Sequence, residues 1–114
     1  MTPRLALLPL LAATAARAAD CPAWLRAARA ARDAVDTPTA DFAYDRAYDC
    51  FAAYVRDHST GTRLPWARYL AGACAERLGR FGSALAHYRA AQYMGDPPDL
   101  LRELVNERLY RLEG

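Results

Sequence analysis

Three cysteines, two histidines and a row of aspartates carry the chain's candidate chemistry: Cys21, Cys50 and Cys74, His58 and His87, and Asp41, Asp45 and Asp49. No Cys or Ser stands at a suggestive spacing from both a His and a carboxylate, so nucleophilic catalysis has no constellation behind it. No Cys/His set has the C-x2-C spacing of a zinc site. The aspartates recur at i, i+4 and i+8 and could gather a cation, but a solvated helix face has the same pattern. Glu103 and Glu107 repeat it on a smaller scale. His58 falls at the end of a helical segment, where a cation complements the helix dipole. His87, between Ala84 and Ala90, is expected to face solvent. These residues describe a protein that is not an enzyme and carries no cofactor or metal.

The stretch Gly79-Arg80-Phe81-Gly82 offers a second kind of chemistry, a glycine-rich loop cradling phosphate. Such a loop follows a strand and opens a helix. Here the preceding segment has helical periodicity, and neither a Gly-Lys-Ser/Thr ending nor a full G-x-G-x-x-G is present. The better reading is a bend in which Gly79 ends one helix and Ser83 caps the next. Such a short connection makes an antiparallel pair, and Phe81 is expected to plug its open end.

The elements around these residues begin with a leader. Arg4 precedes an apolar run from Leu5 to Ala16, and Ala16-Arg17-Ala18 offers an A-x-A cleavage site. Residues 1–18 therefore read as a secretory signal peptide, and the run is shorter than the roughly 20 residues needed to cross a bilayer. Cleavage changes the charge argument. The whole chain has 15 basic and 13 acidic residues, net +2, but Arg4 and Arg17 leave with the leader. Residues 19–114 are then neutral, and nucleic-acid binding loses the basic surplus it requires. Every basic residue is Arg, and 26 residues are Ala. An exported location is expected, in the bacterial periplasm or extracellular and envelope-associated, where disulfides persist. Asp20 directly before Cys21 departs from a lipobox, which argues against a lipid anchor on Cys21.

Five amphipathic helices follow, with no strand-like alternation; the fold class is all-α. The first starts at Pro22, with Trp24, Ala28, Ala31 and Val35 on one stripe. Asp36-Thr37-Pro38-Thr39 breaks it. The second runs from about Ala40 to Asp57, with Tyr44, Ala47, Phe51, Tyr54 and Val55 in its stripe and Cys50 on the same side. His58 to Pro65 is a connector dense in turn formers. The third runs from Pro65 to about Leu78, with Trp66, Tyr69, Leu70, Ala73 and Arg77 along one side and Cys74 adjacent. The fourth opens near Gly82 or Ser83 with Ala84, Leu85, Tyr88 and Ala91, and Pro97-Pro98 ends it. The fifth carries Leu101, Leu104, Val105, Arg108 and Leu112.

Gly72, Gly79, Phe81, Ala84, Tyr88, Ala91 and Pro97 resemble the tetratricopeptide repeat (TPR), a helix-turn-helix unit of about 34 residues. Residues 65–98 fit one unit. Tyr44, Ala47, Phe51 and Tyr54 repeat the spacing of Phe81, Ala84, Tyr88 and Ala91, so residues 22–58 read as a degenerate unit. The last helix, about 99–113, would be the solvating cap of stacked repeats. The departures are Arg68, Ala71 and Ala75 where the family favours Trp, Leu and Tyr, and a first turn without Gly. The resemblance implies a short solenoid of antiparallel helix pairs over residues 19–114.

In the resembled family, a partner peptide lies on the concave face formed by the first helix of each unit. Carried over, that face holds Trp66, Tyr69, Ala73, Glu76 and Arg77, with Arg102 and Asn106 on the cap helix. The same residues could equally be core. The second and third helices, joined near residue 62, put Cys50 and Cys74 level, which suggests a disulfide; two free buried thiols are the alternative. Cys21 is then a free thiol, an intermolecular bridge or a rival for Cys50. The expected function is non-catalytic protein or peptide binding, as an adaptor or assembly factor. The alternative is a compact disulfide-stapled bundle acting as a secreted inhibitor or immunity-type protein.

Overall fold

The computed structural model describes residues 20–93 and 99–113; the expected leader and cleavage site, and Pro97, lie outside these residues. Five helices follow in order: α1 Cys21–Asp33, α2 Thr37–Asp57, α3 Leu64–Arg77, α4 Phe81–Gln92 and α5 Asp99–Glu113. No strand occurs among the described residues. Each helix packs against the next in the chain, and α3 also touches α5. No helix among the described residues is long and apolar enough to cross a membrane.

Two tight turns are built alike. At the end of α3, Gly79 takes φ +76°. Its N–H bonds the Glu76 carbonyl at 3.0 Å, and the Arg80 N–H bonds the Ala75 carbonyl at 2.8 Å. This pair of bonds is the Schellman helix ending, which requires a left-handed residue just past the cap. The α1 end has the same two bonds, Val35 to Arg32 at 2.9 Å and Asp36 to Ala31 at 2.8 Å. The left-handed residue there is Val35, at φ +59°. A β-branched side chain is poorly suited to that region. Val35 is 83% exposed and so is not part of the apolar stripe expected of it.

The break expected at residues 36–39 falls at residues 34–36, and α2 already begins at Thr37. Asp36 caps α2 by accepting from the Thr39 N–H at 3.3 Å. Pro38 sits in the first helical turn, where a missing N–H costs nothing. The next turn also differs from expectation. Phe81 opens α4 and is 54% exposed, so it seals no corner, and Ser83 lies inside the helix without capping it.

The core is largely alanine, which sets helices close but adds only about 0.8 kcal/mol of transfer energy per methyl-sized group. One cluster joins α1, α2 and the outer part of α3 through Ala28, Ala47, Phe51 and Ala71. The other joins α3, α4 and α5 through Ala75, Ala84, Tyr88, Leu101 and Val105. Tyr48 packs on both. The buried side of α3 is Leu64, Ala67, Ala71, Gly72, Cys74 and Ala75. Trp66 and Tyr69 lie half-buried beside it, packed against the second cluster. A methyl group at Gly72 would lie 2.7 and 2.8 Å from Cε1 and Cδ1 of Tyr88. Only a glycine lets the α4 ring approach α3 so closely.

The disulfide joins Cys21 and Cys50, with Cα atoms 5.4 Å apart. Cys50 does not pair with Cys74, which is a free, buried thiol, and Cys21 is neither free nor intermolecular. The reason lies in the connectors. Residues 34–36 make a tight turn, and Cys21 and Cys50 stand almost symmetrically about it on antiparallel helices. The longer segment 58–63 does not preserve that symmetry for Cys50 and Cys74. The bridge occupies the Cys21 sulfur and leaves none for a thioether to lipid.

Candidate functional site

Three helices that are not neighbours in sequence, α1, α3 and α5, meet at one cleft of about 180 Å³. Leu25, Arg29 and Arg32 come from α1, Tyr69, Ala73, Glu76 and Arg77 from α3, and Arg108 from α5. Tyr44 of α2 contributes from the next layer. Local sequence accounts for the alignment: Leu25, Arg29 and Arg32 stand at i, i+4 and i+7, as do Tyr69, Ala73 and Glu76. That spacing puts each set on one helix face.

Glu76 is fixed from two sides. The Tyr88 hydroxyl donates to its Oε1 at 2.9 Å, and Arg108 Nη1 lies 3.5 Å from its Oε2. Burial, helped by this bond and the Glu76 charge, pushes the Tyr88 phenol well above its ordinary value. Burial works against the Arg108 charge, but the Tyr69 hydroxyl and Glu76 outweigh it and raise the guanidinium pKa. The Tyr69 ring lies 5.8 Å from Tyr88 and 6.2 Å from Trp66, centroid to centroid. Tyr69 therefore belongs to both the cleft wall and the core edge.

Two features of the cleft stand without a close protein partner. Arg29 and Arg77 have no ion-pair or hydrogen-bond partner among the described residues, and Arg32 reaches only its exposed neighbour Asp33 at 3.7 Å. Tyr44 is 4% exposed, and its hydroxyl is buried without a hydrogen-bond partner. Such a group loses its water without replacement.

No family model matches this chain. Neither the curated proteins nor the solved structures include one significantly similar to it.

Four of the seven residues expected in the groove, Tyr69, Ala73, Glu76 and Arg77, line the cleft together. Trp66 does not; it packs against the second core cluster and reaches the cleft only through Tyr69. On α5, Arg102 bonds Asp99 at 3.2 Å and Asn106 accepts from Gln92 at 3.0 Å. The cleft residue of α5 is Arg108, which the spacing of α5 places along its apolar stripe. The α1 arginines were missed, although their spacing match to α3 was present in the sequence. Tyr44 lies in the expected apolar stripe of α2 and is buried, but nothing in its sequence context signals the unpartnered hydroxyl.

The other candidate chemistry lies apart from the cleft. Asp45 pairs with Arg80 at 2.6 Å, and no group of acidic, His or Cys residues able to hold a metal occurs among the described residues. His87 is half-buried, not solvent-facing: it bonds the Tyr48 hydroxyl at 3.2 Å, with their rings edge to face. Burial, reinforced by the Arg68 charge, lowers its pKa below 6.5. His58 bonds the Tyr54 carbonyl through Nδ1 at 2.9 Å and stacks on the Tyr54 ring, capping α2. Burial pushes the Cys74 thiol up to about 12 against the opposing pull of Arg29. A thiol so held is inert as a nucleophile at neutral pH.

Proposed function

We propose that this chain is a non-catalytic protein- or peptide-binding module resembling a two-unit TPR solenoid with a capping helix. It would act as an adaptor or assembly factor in the bacterial periplasm or cell envelope. The observation that carries this reading is the cleft shared by α1, α3 and α5. These are the first helices of the two units and the cap, the surface on which the resembled family receives its partners. The Cys21–Cys50 disulfide is compatible with an exported protein. A self-contained inhibitor bundle would bury Trp66 and Tyr69; both are only half-buried, and Tyr69 lines an open wall.

The test compares capture from an envelope extract by the oxidised protein and by Arg77→Ala. Arg77 is exposed and unpaired, so its loss leaves the fold intact. Loss of the captured partner at unchanged melting temperature supports the reading. Equal capture by both proteins moves the binding surface elsewhere.

A further inference from the structure

Two basic side chains meet apart from the cleft, where side chains of α2, α3 and α4 converge. Tyr48 comes from α2, Arg68 from α3 and His87 from α4, and none of the three lines the cleft. The Tyr48 hydroxyl lies 3.2 Å from His87 Nε2. Arg68 is near enough for its charge to oppose protonation of His87. The Arg68 Nε–H is buried and bonds nothing, and its guanidinium has no ion-pair partner among the described residues. The acid beside this seam, Asp45 of α2, is committed to Arg80 at 2.6 Å. Arg80, just before α4, brings a further positive charge 5.5 Å from the centre of the Tyr48 ring. A buried N–H without an acceptor has lost its water without replacement. A guanidinium beside an imidazole penalises the charged imidazole. One species relieves both: an anion that accepts from Arg68 and offsets the two charges.

The donors select its shape. While His87 is neutral, its Nε2 can accept from the Tyr48 hydroxyl. Once His87 is protonated, Nε2–H donates, the Tyr48 oxygen accepts, and the hydroxyl proton is released to another acceptor. Protonation therefore adds a charge and frees a donor in one event. Arg68 presents a fork of N–H groups, and Tyr48 presents its hydroxyl from a different helix. A carboxylate has two oxygens, both used by the fork, whereas a tetrahedral oxyanion keeps further oxygens for the hydroxyl.

We infer that Arg68, Tyr48 and His87 form a site for a tetrahedral oxyanion of the sulfate or phosphate class, which fills as His87 takes up a proton. The site does not depend on what the cleft binds. Anion binding and protonation are reciprocal, each favouring the other by the same factor.

Sulfate is the probe, because it keeps its double charge throughout the range in which His87 titrates. The His87 Cε1–H resonance is followed by NMR across pH 5–8 in sulfate and in chloride at equal ionic strength. Sulfate should raise the His87 pKa by about one unit, equivalent to about tenfold tighter sulfate binding by the protonated form. His58, exposed at the end of α2, should titrate alike in both salts. Arg68→Gln should move the His87 pKa up toward 6.5 in chloride and abolish the response to sulfate. Arg68→Lys keeps the charge without the Nε–H and should retain part of the response, so the test survives a Gln variant that fails to fold. Tyr48→Phe should reduce the response, and Arg56→Gln, an exposed change elsewhere on α2, should leave it unchanged. Acetate should act as chloride does. Methyl phosphate matching sulfate supports the site with a phosphate carried on a larger molecule as its source. Failure of methyl phosphate while sulfate acts supports it with a free inorganic ion as the source. The inference is overturned by no sulfate response at His87, by an equal response at His58, by a full response in Arg68→Gln, or by acetate as effective as sulfate.

Discussion

The hydroxyl of Tyr88, a fully buried residue of α4, donates at 2.9 Å to Glu76, the one carboxylate of the cleft wall among the described residues. The same ring lies against Gly72, where any β-carbon would collide with it. A core contact and a cleft residue are thus one mechanical unit: the glycine admits the ring, and the ring sets the carboxylate.

Gly72→Ala should therefore destabilise the protein. Alanine gains about 1 kcal/mol of helix propensity over glycine. Overpacking against a ring that is buried and bonded at its far end costs typically 1–3 kcal/mol. The expected net loss is up to about 2 kcal/mol by urea unfolding. A stabilised variant would show that Tyr88 can move freely.

Val35→Gly should act in the opposite direction. A non-glycine residue in the left-handed region costs roughly 1–2 kcal/mol, partly offset by glycine's greater entropy in the unfolded chain. The exposed valine side chain loses little packing, so stability should rise by about 0.5–1 kcal/mol. Gly79→Ala, at the matching turn, should lower it by about 1 kcal/mol. Thermal melts of the two variants, read together, check the assignment.

The turns also show how far the sequence could be read. Gly79 advertised its helix ending because glycine is the usual left-handed residue. Val35 concealed an identical ending, because valine fits the apolar periodicity of α1 and backbone hydrogen bonds leave no mark on composition. The helix count and the second helix pair were legible in periodicity and in Gly72, Gly79, Ala84 and Tyr88. The cleft was half legible. Tyr69, Ala73, Glu76 and Arg77 share a face of one helix, whereas Arg29 and Arg108 join them only through packing between distant helices. The Cys21–Cys50 pairing was not legible, because spacing fixes position along helices and not the path of the longer connector between α2 and α3.

Acidification should destabilise the fold through His87. Burial and Arg68 hold its folded pKa below the ordinary 6.5. The unfolded chain therefore takes up the proton first as pH falls. The stability tied to neutral His87 is full above about pH 6.5 and is lost as pH drops from there toward the lower folded value. His87→Gln should flatten that part of the stability-against-pH curve, measured by urea midpoints across pH 5–8. An unchanged slope would remove His87 as its cause.

Peptide mapping under non-reducing conditions should recover Cys21 linked to Cys50. Cys74 should resist alkylation until the protein is denatured, since its thiol is buried and titrates near 12. Cys50→Ser should cost about 3.6 kcal/mol, as the loop-closure relation gives for a disulfide whose cysteines are 29 residues apart. Cys74→Ala should cost less than that. Rapid native alkylation of Cys74 would contradict its burial.

The disulfide also gives the molecule a fixed end and a fraying end. It rivets α1 to α2, while among the described residues α5 is held by side-chain contacts. Local opening should begin at α5, and amide exchange should be fastest there. That helix carries Arg108 and so completes the cleft. The last helix to lock is thus the one that an occupant of the cleft would latch.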